Sequence, residues 1–285
     1  MDSTIYLRVV GRTDIGNVRK NNEDSFVVAD LNGTALIGPG GSGGRFEVGD
    51  RGVLLAVSDG MGGLRAGEVA SALVIDTLPK ALRDARASAP GEEQLRTGVQ
   101  RAHERVWHTA QEEGIRMGAT LTAVYVQGDV AWIAEVGDSR AYLIRSGKIA
   151  QLTKDQSLVQ KLLDAGAVSP EDAAHSPYRS VILQAMGHQE DVAIALGRLQ
   201  LRARDCLLLC SDGLTTHLSD EDIRSVVLGA PDLSVACDRL VNLAKARGGF
   251  DNITAVLAGL GGPLPVARSS SDELEQTFEV VQSFN

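Results

Sequence analysis

The sequence predicts an α+β fold in which antiparallel sheets are covered by helices on the outside. Short apolar runs with strand character outnumber the helical segments, and several of these runs are joined only by tight turns. Because parallel strands need a long crossover connection, the short turns favour antiparallel pairing. The helical segments come in pairs between groups of strands, whereas a βαβ repeat would place one helix after each strand.

The strands are predicted from runs that are apolar throughout or at every second position. These runs cover residues 6–13, 24–30, 52–60, 119–128, 130–139, 141–147, 192–201, 205–213 and 252–260. The pairs Gly128-Asp129 and Ser146-Gly147 are typical of hairpin turns. We therefore expect the strands on either side of each pair to be neighbours in a sheet.

Helices are predicted over residues 66–86, 92–113, 219–228 and 231–247. In the first, apolar residues recur at steps of four from Ala70 to Leu82 and form one packing face. The second begins with two glutamates at the positive end of the helix dipole and ends before Gly114. The third opens with Ser219 and Asp222 at the spacing of a capping box.

Two segments depart from this pattern. Residues 155–190 interrupt the strand rhythm, and we expect a mobile helical flap there, beside the functional site. Residues 262–285 begin with Gly, Pro and Ser and are expected to form a flexible C-terminal tail. Leu274, Phe278 and Val281 in this tail are spaced as one helical face, so a docking peptide is the alternative to disorder.

Composition excludes several classes of protein. The 285 residues are 44% hydrophobic and carry a net charge of −9 without a basic tract, which argues against nucleic-acid binding. No run of about 18 apolar residues predicts a membrane span, and the N-terminus lacks the pattern of a signal peptide. Cys206, Cys210 and Cys237 are predicted to be core residues in a reducing compartment, so we expect a cytoplasmic protein. We expect a monomer, because no long apolar surface stripe is left over.

Acidic residues stand at the ends of several predicted strands. The runs LLAVSDG and LLLCSDG end in the same Ser-Asp-Gly motif, at Asp59-Gly60 and Asp212-Gly213. One such turn alone is uninformative, because Asp-Gly is common after strands. The predicted acidic cluster has six members: Glu23, Asp24, Asp59, Asp138, Asp212 and Asp251. If the strand ends converge, these carboxylates would repel one another unless cations lie between them.

The donor types indicate which cations these would be. The cluster contains only oxygen donors, so Mg²⁺ or Mn²⁺ fits and a structural zinc does not, while Ca²⁺ stays open on ligand type. Gly60, lacking a Cβ, would let a backbone carbonyl approach a metal. Arg19, upstream of the cluster, could hold two oxygens of a phosphate with its planar guanidinium. Adjacent metals with an arginine are suited to the hydrolysis of phosphate esters.

These residues resemble the metal-dependent serine/threonine protein phosphatases of type 2C, in their bacterial branch. The motifs that carry the resemblance occur in the order TDIGNVRKNNEDS, VSDGMGGLRAGEVAS, MGATLTAV, VGDSRAYLIR, LTKDQSLVQKLL, CSDGLT and DNIT. The resemblance implies a four-layer α-β-β-α sandwich of two antiparallel sheets, with a phosphatase catalytic domain over residues 1–261. It also implies bacterial signalling and hydrolysis of phosphoserine and phosphothreonine in proteins by a metal-bridging hydroxide, opposing a cytosolic serine/threonine kinase.

The resemblance also assigns roles to residues. Asp59 would bridge two Mn²⁺ or Mg²⁺ ions and the carbonyl of Gly60 would ligate one of them, while Asp212 and Asp251 would complete the other site. Glu23 and Asp24 would act mainly by positioning water. Asp138 would help to hold a third, weaker metal, and Arg19 would bind the phosphate.

Two departures from the family pattern concern the acid that protonates the leaving group. Some relatives carry a histidine where this chain has Met61, and many bacterial relatives carry one in the flap motif where it has Gln156. His103 and His108 are predicted on the polar side of a helix, and the other histidines in loops or the flap. Water therefore takes this role by default. The alternative function is a catalytically silent adaptor of the same fold that binds phosphoproteins.

Overall fold

The computed structural model describes residues 4–41, 43–62, 65–174, 176–267 and 278–283. The strands are β1 (Tyr6–Asp14), β2 (Asp24–Asp30), β3 (Leu36–Ile37), β4 (Gly44–Glu47), β5 (Val53–Gly62), β6 (Met117–Ala119), β7 (Leu121–Gln127), β8 (Val130–Val136), β9 (Arg140–Arg145), β10 (Lys148–Gln151), β11 (Ala195–Gln200), β12 (Cys206–Cys210), β13 (Ile253–Gly261) and β14 (Phe278–Gln282). The helices are α1 (Ala66–Asp84), α2 (Gly91–Glu113), α3 (Leu158–Asp164), α4 (Pro170–Ala174), α5 (Asp212–Thr215), α6 (Asp220–Gly229) and α7 (Leu233–Ala246). Every strand and every paired helix predicted from the sequence is present.

Two antiparallel sheets form the centre of the fold. One has the strand order β10-β9-β12-β13-β1-β4, and the other has the order β14-β11-β8-β7-β5-β2-β3, with β6 paired to β5. The predicted hairpins β7-β8 and β9-β10 are both present. Helices α1 and α2 pack on the outer face of the second sheet, and α6 and α7 pack on the first. The predicted α-β-β-α sandwich is thus confirmed.

Strand β5 shows why the central strands are apolar throughout. Leu54 and Ala56 pack toward α1 and α2, whereas Val53, Leu55 and Val57 pack between the two sheets. Both faces are buried, so the polar alternation of a half-exposed strand is absent. A shift of one residue would exchange the two faces, and packing therefore fixes the register that the site depends on.

Helix α6 begins as its sequence predicts. Ser219 Oγ accepts the backbone N–H of Asp222, and the Asp222 carboxylate accepts the N–H of Ser219. Aspartate thus replaces the more usual glutamate in this capping box. Arg247, just after α7, donates to the same carboxylate at 2.6 and 2.8 Å and joins the two helices.

The end of the chain differs from expectation. Phe278–Gln282 forms β14, an edge strand paired with β11, so the predicted helical face is wrong at Phe278 and Val281; Leu274 lies outside the described residues. The Phe278 ring lies over Gly197, where a Cβ would come within 2.7 Å of it. The ring fits there because Gly197 of β11 has no side chain. The spacing of apolar residues within the tail does not reveal this partner.

The predicted flap forms two short helices, α3 and α4, between β10 and β11. Ser157 caps α3 by accepting the N–H of Gln160 at 3.2 Å. In the described part of the chain, none of the helices combines the length and apolar composition that crossing a bilayer requires.

Candidate active site

The acidic cluster assembles at one end of the sandwich, where strands of both sheets begin or end. Asp24 begins β2 and Asp59 lies in β5, and the two are directly paired in the antiparallel register. Asp138 follows β8 in the same sheet. Asp212 follows β12 in the opposite sheet, and Asp251 precedes β13. The convergence expected from the strand ends is present.

The carboxyl groups are close enough to affect each other's protonation. Asp59 and Asp212 lie close enough across the two sheets for their negative charges to interact. Burial, followed by the negative charges of the other aspartates, holds the pKa of Asp59 well above its usual range. Burial likewise raises the pKa of Asp24 to about 7 and that of Asp212 to about 6. These aspartates are therefore costly to keep ionised without a compensating positive charge.

Two buried serine hydroxyl groups support the acidic cluster through hydrogen bonds. Ser211 Oγ donates to Asp24 Oδ2 at 2.6 Å and accepts the backbone N–H of Thr254 at 3.0 Å, which ties β2 to the opposite sheet. Ser58 Oγ donates to the carbonyl of Thr120 at 2.7 Å. Both serines of the repeated Ser-Asp-Gly motif are thus fully buried supports. Sequence reasoning used only the aspartates of this motif.

The glycines of the two motifs are required by packing. A Cβ at Gly60 would lie 2.0 Å from the carbonyl oxygen of Gly67 in α1. At Gly213 it would lie 1.9 Å from the carbonyl oxygen of Asn252. Both contacts involve backbone atoms that cannot move aside, so only glycine fits. The reason differs from the predicted approach of a carbonyl to a metal, although the two are compatible.

Arg19 contacts the acidic cluster through Asp251. Its Nη2 donates to Asp251 Oδ2 at 2.6 Å, and its side chain is 51% exposed. Glu23 lies in the loop before β2, where its N–H donates to Asn252 Oδ1 at 2.8 Å. Burial raises the pKa of Glu23, and the charge of Arg19 opposes that rise. Arg19 and Glu23 thus flank the aspartates on the solvent side.

Gln156 holds the turn that carries Asp138. Its Oε1 accepts the N–H of Gly137 at 2.8 Å, its own N–H donates to the carbonyl of Gly137 at 2.8 Å, and its Nε2 donates to the carbonyl of Glu135 at 3.3 Å. Burial, then the charge of Asp212, holds the pKa of Asp138 well above its usual range. Gln156 is buried and used in these bonds, so it positions Asp138 and is not an acid for the leaving group.

An ion pair joins the site to the flap. Arg140 donates from Nε to Asp155 Oδ1 at 2.7 Å and from Nη2 to Asp155 Oδ2 at 2.6 Å. This bidentate geometry fixes the first residue of the flap against β9. Sequence reasoning missed this pair, because the two residues are 15 positions apart and no spacing rule connects them.

The cluster opens into a cleft of about 610 Å³. Arg19, Asp138, Asp212 and Asp251 line one part of it, and residues of the flap line another. A space of this size lies within the usual range of ligand-binding clefts.

The donor set fits divalent cations. Asp24 Oδ1 and Asp212 Oδ1 are buried without a hydrogen-bond partner, which is unusual for carboxylate oxygens unless a cation or water belongs there. Among the described residues, no three acidic, histidine or cysteine side chains form a ready-made metal cage. Backbone carbonyls such as that of Gly60, together with water, would have to complete the coordination, as is common for Mg²⁺.

Neither His103 nor His217 is placed as an acid for the leaving group. His103 was predicted on the polar side of α2, but it is fully buried. Its Nδ1 accepts the N–H of Gly187 at 3.1 Å, and its Nε2 lies 3.0 Å from the carbonyl of Glu190. These contacts join α2 to the segment before β11. His217 lines the cleft, where solvation had been predicted, and its Nε2 accepts the N–H of Phe250 at 3.3 Å. Burial, with help from nearby arginines, lowers the pKa of His217. Because His217 Nε2 accepts the Phe250 N–H, that nitrogen is not placed to donate a proton to a leaving group.

Comparison with known proteins decides the family. A family model described as "Protein phosphatase 2C" matches residues 12–161, more than half of the chain. The chain belongs to the protein phosphatase 2C family. The resemblance inferred from the motifs is thereby confirmed.

Two curated bacterial proteins are similar to this chain. The serine/threonine protein phosphatase PstP of Mycobacterium tuberculosis is 39% identical over 259 residues, which are 90% of this chain and 45% of PstP. The chain therefore spans about half the length of this relative. The serine/threonine phosphatase stp of Listeria welshimeri is 36% identical over 86% of this chain and 93% of its own.

A solved structure of this family is similar throughout the fold. The catalytic domain of PstP in complex with two manganese ions has a TM-score of 0.75 and 37% identity, covering 90% of this chain and 99% of that domain. The protein phosphatase 2C fold therefore extends over most of this chain.

Proposed function

We propose that this protein hydrolyses phosphoserine and phosphothreonine in other proteins and that it depends on Mn²⁺ or Mg²⁺. The main support is the acidic cluster, in which buried carboxylates from both sheets meet at a cleft with oxygens that lack partners. The names of the relatives point to the same activity, and the PstP structure with two manganese ions points to the same metals.

The metal roles follow the family resemblance. Asp59 would serve two cation sites, with the Gly60 carbonyl at one of them and Asp212 and Asp251 at the other. Asp138 would help to hold a third cation. When bound, the cations would supply Lewis acidity and lower the pKa of water toward neutral pH. Glu23 and Asp24 would position water. For Asp24 this agrees with one oxygen that is held by Ser211 and a second that has no partner.

Arg19 would bind the phosphoryl group. Its guanidinium carries five N–H donors, of which Asp251 uses one. The half-exposed side chain can therefore keep this ion pair and still present donors to the cleft.

Protonation of the leaving alkoxide is assigned to water. Met61 has no titratable group, Gln156 is bonded to the backbone, and His217 accepts a hydrogen bond through Nε2. Phosphate release should therefore show no titration attributable to a histidine. The opposing cytosolic kinase, the cytoplasmic location and the monomeric state stay predictions from the sequence.

The test is phosphate release from a phosphothreonine peptide with Mn²⁺, Mg²⁺, Ca²⁺ or a chelator. We expect turnover with Mn²⁺ or Mg²⁺, none with chelator, and loss of turnover in Asp212→Asn. The matched control is Asp76→Asn, which removes an exposed carboxylate of α1 that pairs with Lys80. Phosphopeptide binding without turnover at saturating Mn²⁺ would favour the adaptor instead.

A further inference from the structure

Phe250 is a large apolar side chain at the mouth of the cleft, directly before Asp251. It is 58% exposed and lines the same cleft as Arg19 and Asp212. An exposed apolar residue is ordinary by itself. The position is unusual, because Phe250 adjoins the acidic cluster and the chain around it is tightly held.

The backbone directly before Phe250 is fixed by hydrogen bonds. Asn17 Nδ2 donates to the carbonyls of Lys245 at 2.8 Å and Gly248 at 3.0 Å, and its N–H donates to the carbonyl of Gly249 at 2.8 Å. Gly248 and Gly249 adopt φ angles of 138° and 54°, which favour glycine. The turn thus presents the phenyl ring in one place.

The ring is also held from the side. His217 accepts the N–H of Phe250 at 3.3 Å, and the two ring centroids are 5.2 Å apart with a tilt of 46°. This is the distance range of favourable aromatic pairs. A rigid aromatic surface loses little entropy when a ligand packs on it, so it is suited to recognition.

The flap side of the same cleft is mixed. Val159 and Leu163 of α3, with Pro170 and Ala173 of α4, are its apolar residues, and polar residues such as Gln160 and Arg179 line it as well. The cleft therefore combines the charged acidic cluster with an exposed phenyl ring and four apolar flap residues. A phosphate alone makes no use of these apolar side chains.

We propose that Phe250 and the apolar flap residues form a subsite for a large apolar side chain that flanks the phosphorylated residue of the substrate. The proposal rests on the proposed phosphatase function and narrows its substrates to extended peptides that carry such a neighbour. Consecutive residues of an extended peptide are about 3.3–3.6 Å apart, and Phe250 is the neighbour of Asp251 in the chain. A side chain one or two residues from the phosphorylated residue would therefore reach the ring.

The test compares two phosphothreonine peptides that differ only in leucine or glycine at these flanking positions, with p-nitrophenyl phosphate as a substrate that lacks a peptide. For wild type we expect kcat/KM to favour the leucine peptide by about tenfold, as partial burial of a leucine would give. In Phe250→Ala this preference should fall to about twofold or less. Phe250→Trp should keep most of it, because the aromatic surface remains.

Three outcomes would overturn the subsite. They are equal rates for the two peptides in wild type, a preference that survives in Phe250→Ala, and an equal loss of p-nitrophenyl phosphate and peptide turnover in that variant. The last would mean that Phe250 acts through Asp251. Melting temperatures confirm that the variants are folded. Absence of p-nitrophenyl phosphate turnover in wild type would instead count against the phosphatase function.

Discussion

The two ends of the β9-β12 strand pair hold buried acids in opposite ways. At one end Asp205 is buried and fully paired, because Arg145 donates to both of its oxygens at 2.7 and 2.6 Å and Arg202 N–H donates at 2.8 Å. At the other end Asp212 is half-buried, and its Oδ1 is buried without a hydrogen-bond partner. The cation at that end, Arg140, is bound to Asp155 instead.

This difference separates a structural charge from a functional one. A buried carboxylate with its own counter-ion contributes to a specific fold and has little left to offer a ligand. A buried carboxylate that faces other carboxylates stores unfavourable energy until a cation arrives. The sequence shows an aspartate at each end of the strand pair. Only the partners of Asp205 and Asp212 in the structure show which of the two is structural and which is functional.

The largest effect is expected at the unpaired end. Asp212→Asn should lower kcat/KM for a phosphothreonine peptide on the order of a thousandfold, comparable with the loss of a key electrostatic group. Stability should not fall in the metal-free protein, because the change removes a charge that burial disfavours. Steady-state kinetics and urea unfolding with chelator measure both. A stability loss matching the activity loss would make Asp212 a structural residue like Asp205.

The reverse is expected at the paired end. Arg145→Met leaves Asp205 buried without its counter-ion and should lower the free energy of unfolding by about 3–5 kcal/mol. Urea unfolding measures it, with Arg12→Met as control, because the Arg12–Asp238 pair is partly exposed and should contribute less than about 1 kcal/mol. The folded fraction should keep its kcat/KM. An active-site defect in folded Arg145→Met would show that the two ends are coupled.

The sequence predicted which acids converge, and it could not predict how they are held. Asp59 and Asp212 were found because a repeated motif ends two strands. Ser58 and Ser211 stood in the same motif, but a serine after an apolar run does not show whether it donates to a carboxylate or to a backbone carbonyl. The Arg145–Asp205 pair has no signal at all, since its members are 60 residues apart.

Errors of prediction had a common physical cause. His103 faces the segment before β11 and Phe278 covers Gly197, so both depend on contacts with chain far away in sequence. Helical periodicity describes one segment at a time and does not include its neighbours. The central strands were predictable because their burial on both faces is visible within each strand.

A smaller effect on activity is expected from a substitution of Arg19, which lies on the exposed side of the acidic cluster. Arg19→Lys keeps the positive charge and loses the planar fork, so KM for the phosphopeptide should rise about tenfold. The free energy of unfolding should change by less than about 1 kcal/mol, because the Arg19–Asp251 pair is largely exposed. Initial rates over a range of substrate concentrations separate KM from kcat. An unchanged KM would remove the phosphate-binding role.

The smallest effect concerns pH. Burial raises the pKa of Asp24 to about 7 and that of Asp212 to about 6. The folded metal-free protein therefore retains protons that the unfolded chain releases above about pH 4, and its stability should decrease as pH rises from about 4 to about 7. Melting temperatures with chelator test this, with Asp24→Asn as the variant in which the decrease should be smaller. A decrease of the same size in that variant would contradict the assignment.

Calorimetric titration of the chelator-treated protein with Mn²⁺ at pH 7.5, for wild type and Asp212→Asn, tests most directly whether the unpaired carboxylates form a cation site. We expect wild type to bind two Mn²⁺ ions with release of protons, and Asp212→Asn to lose at least one site. Unchanged Mn²⁺ binding in Asp212→Asn, or no binding in wild type, would contradict it.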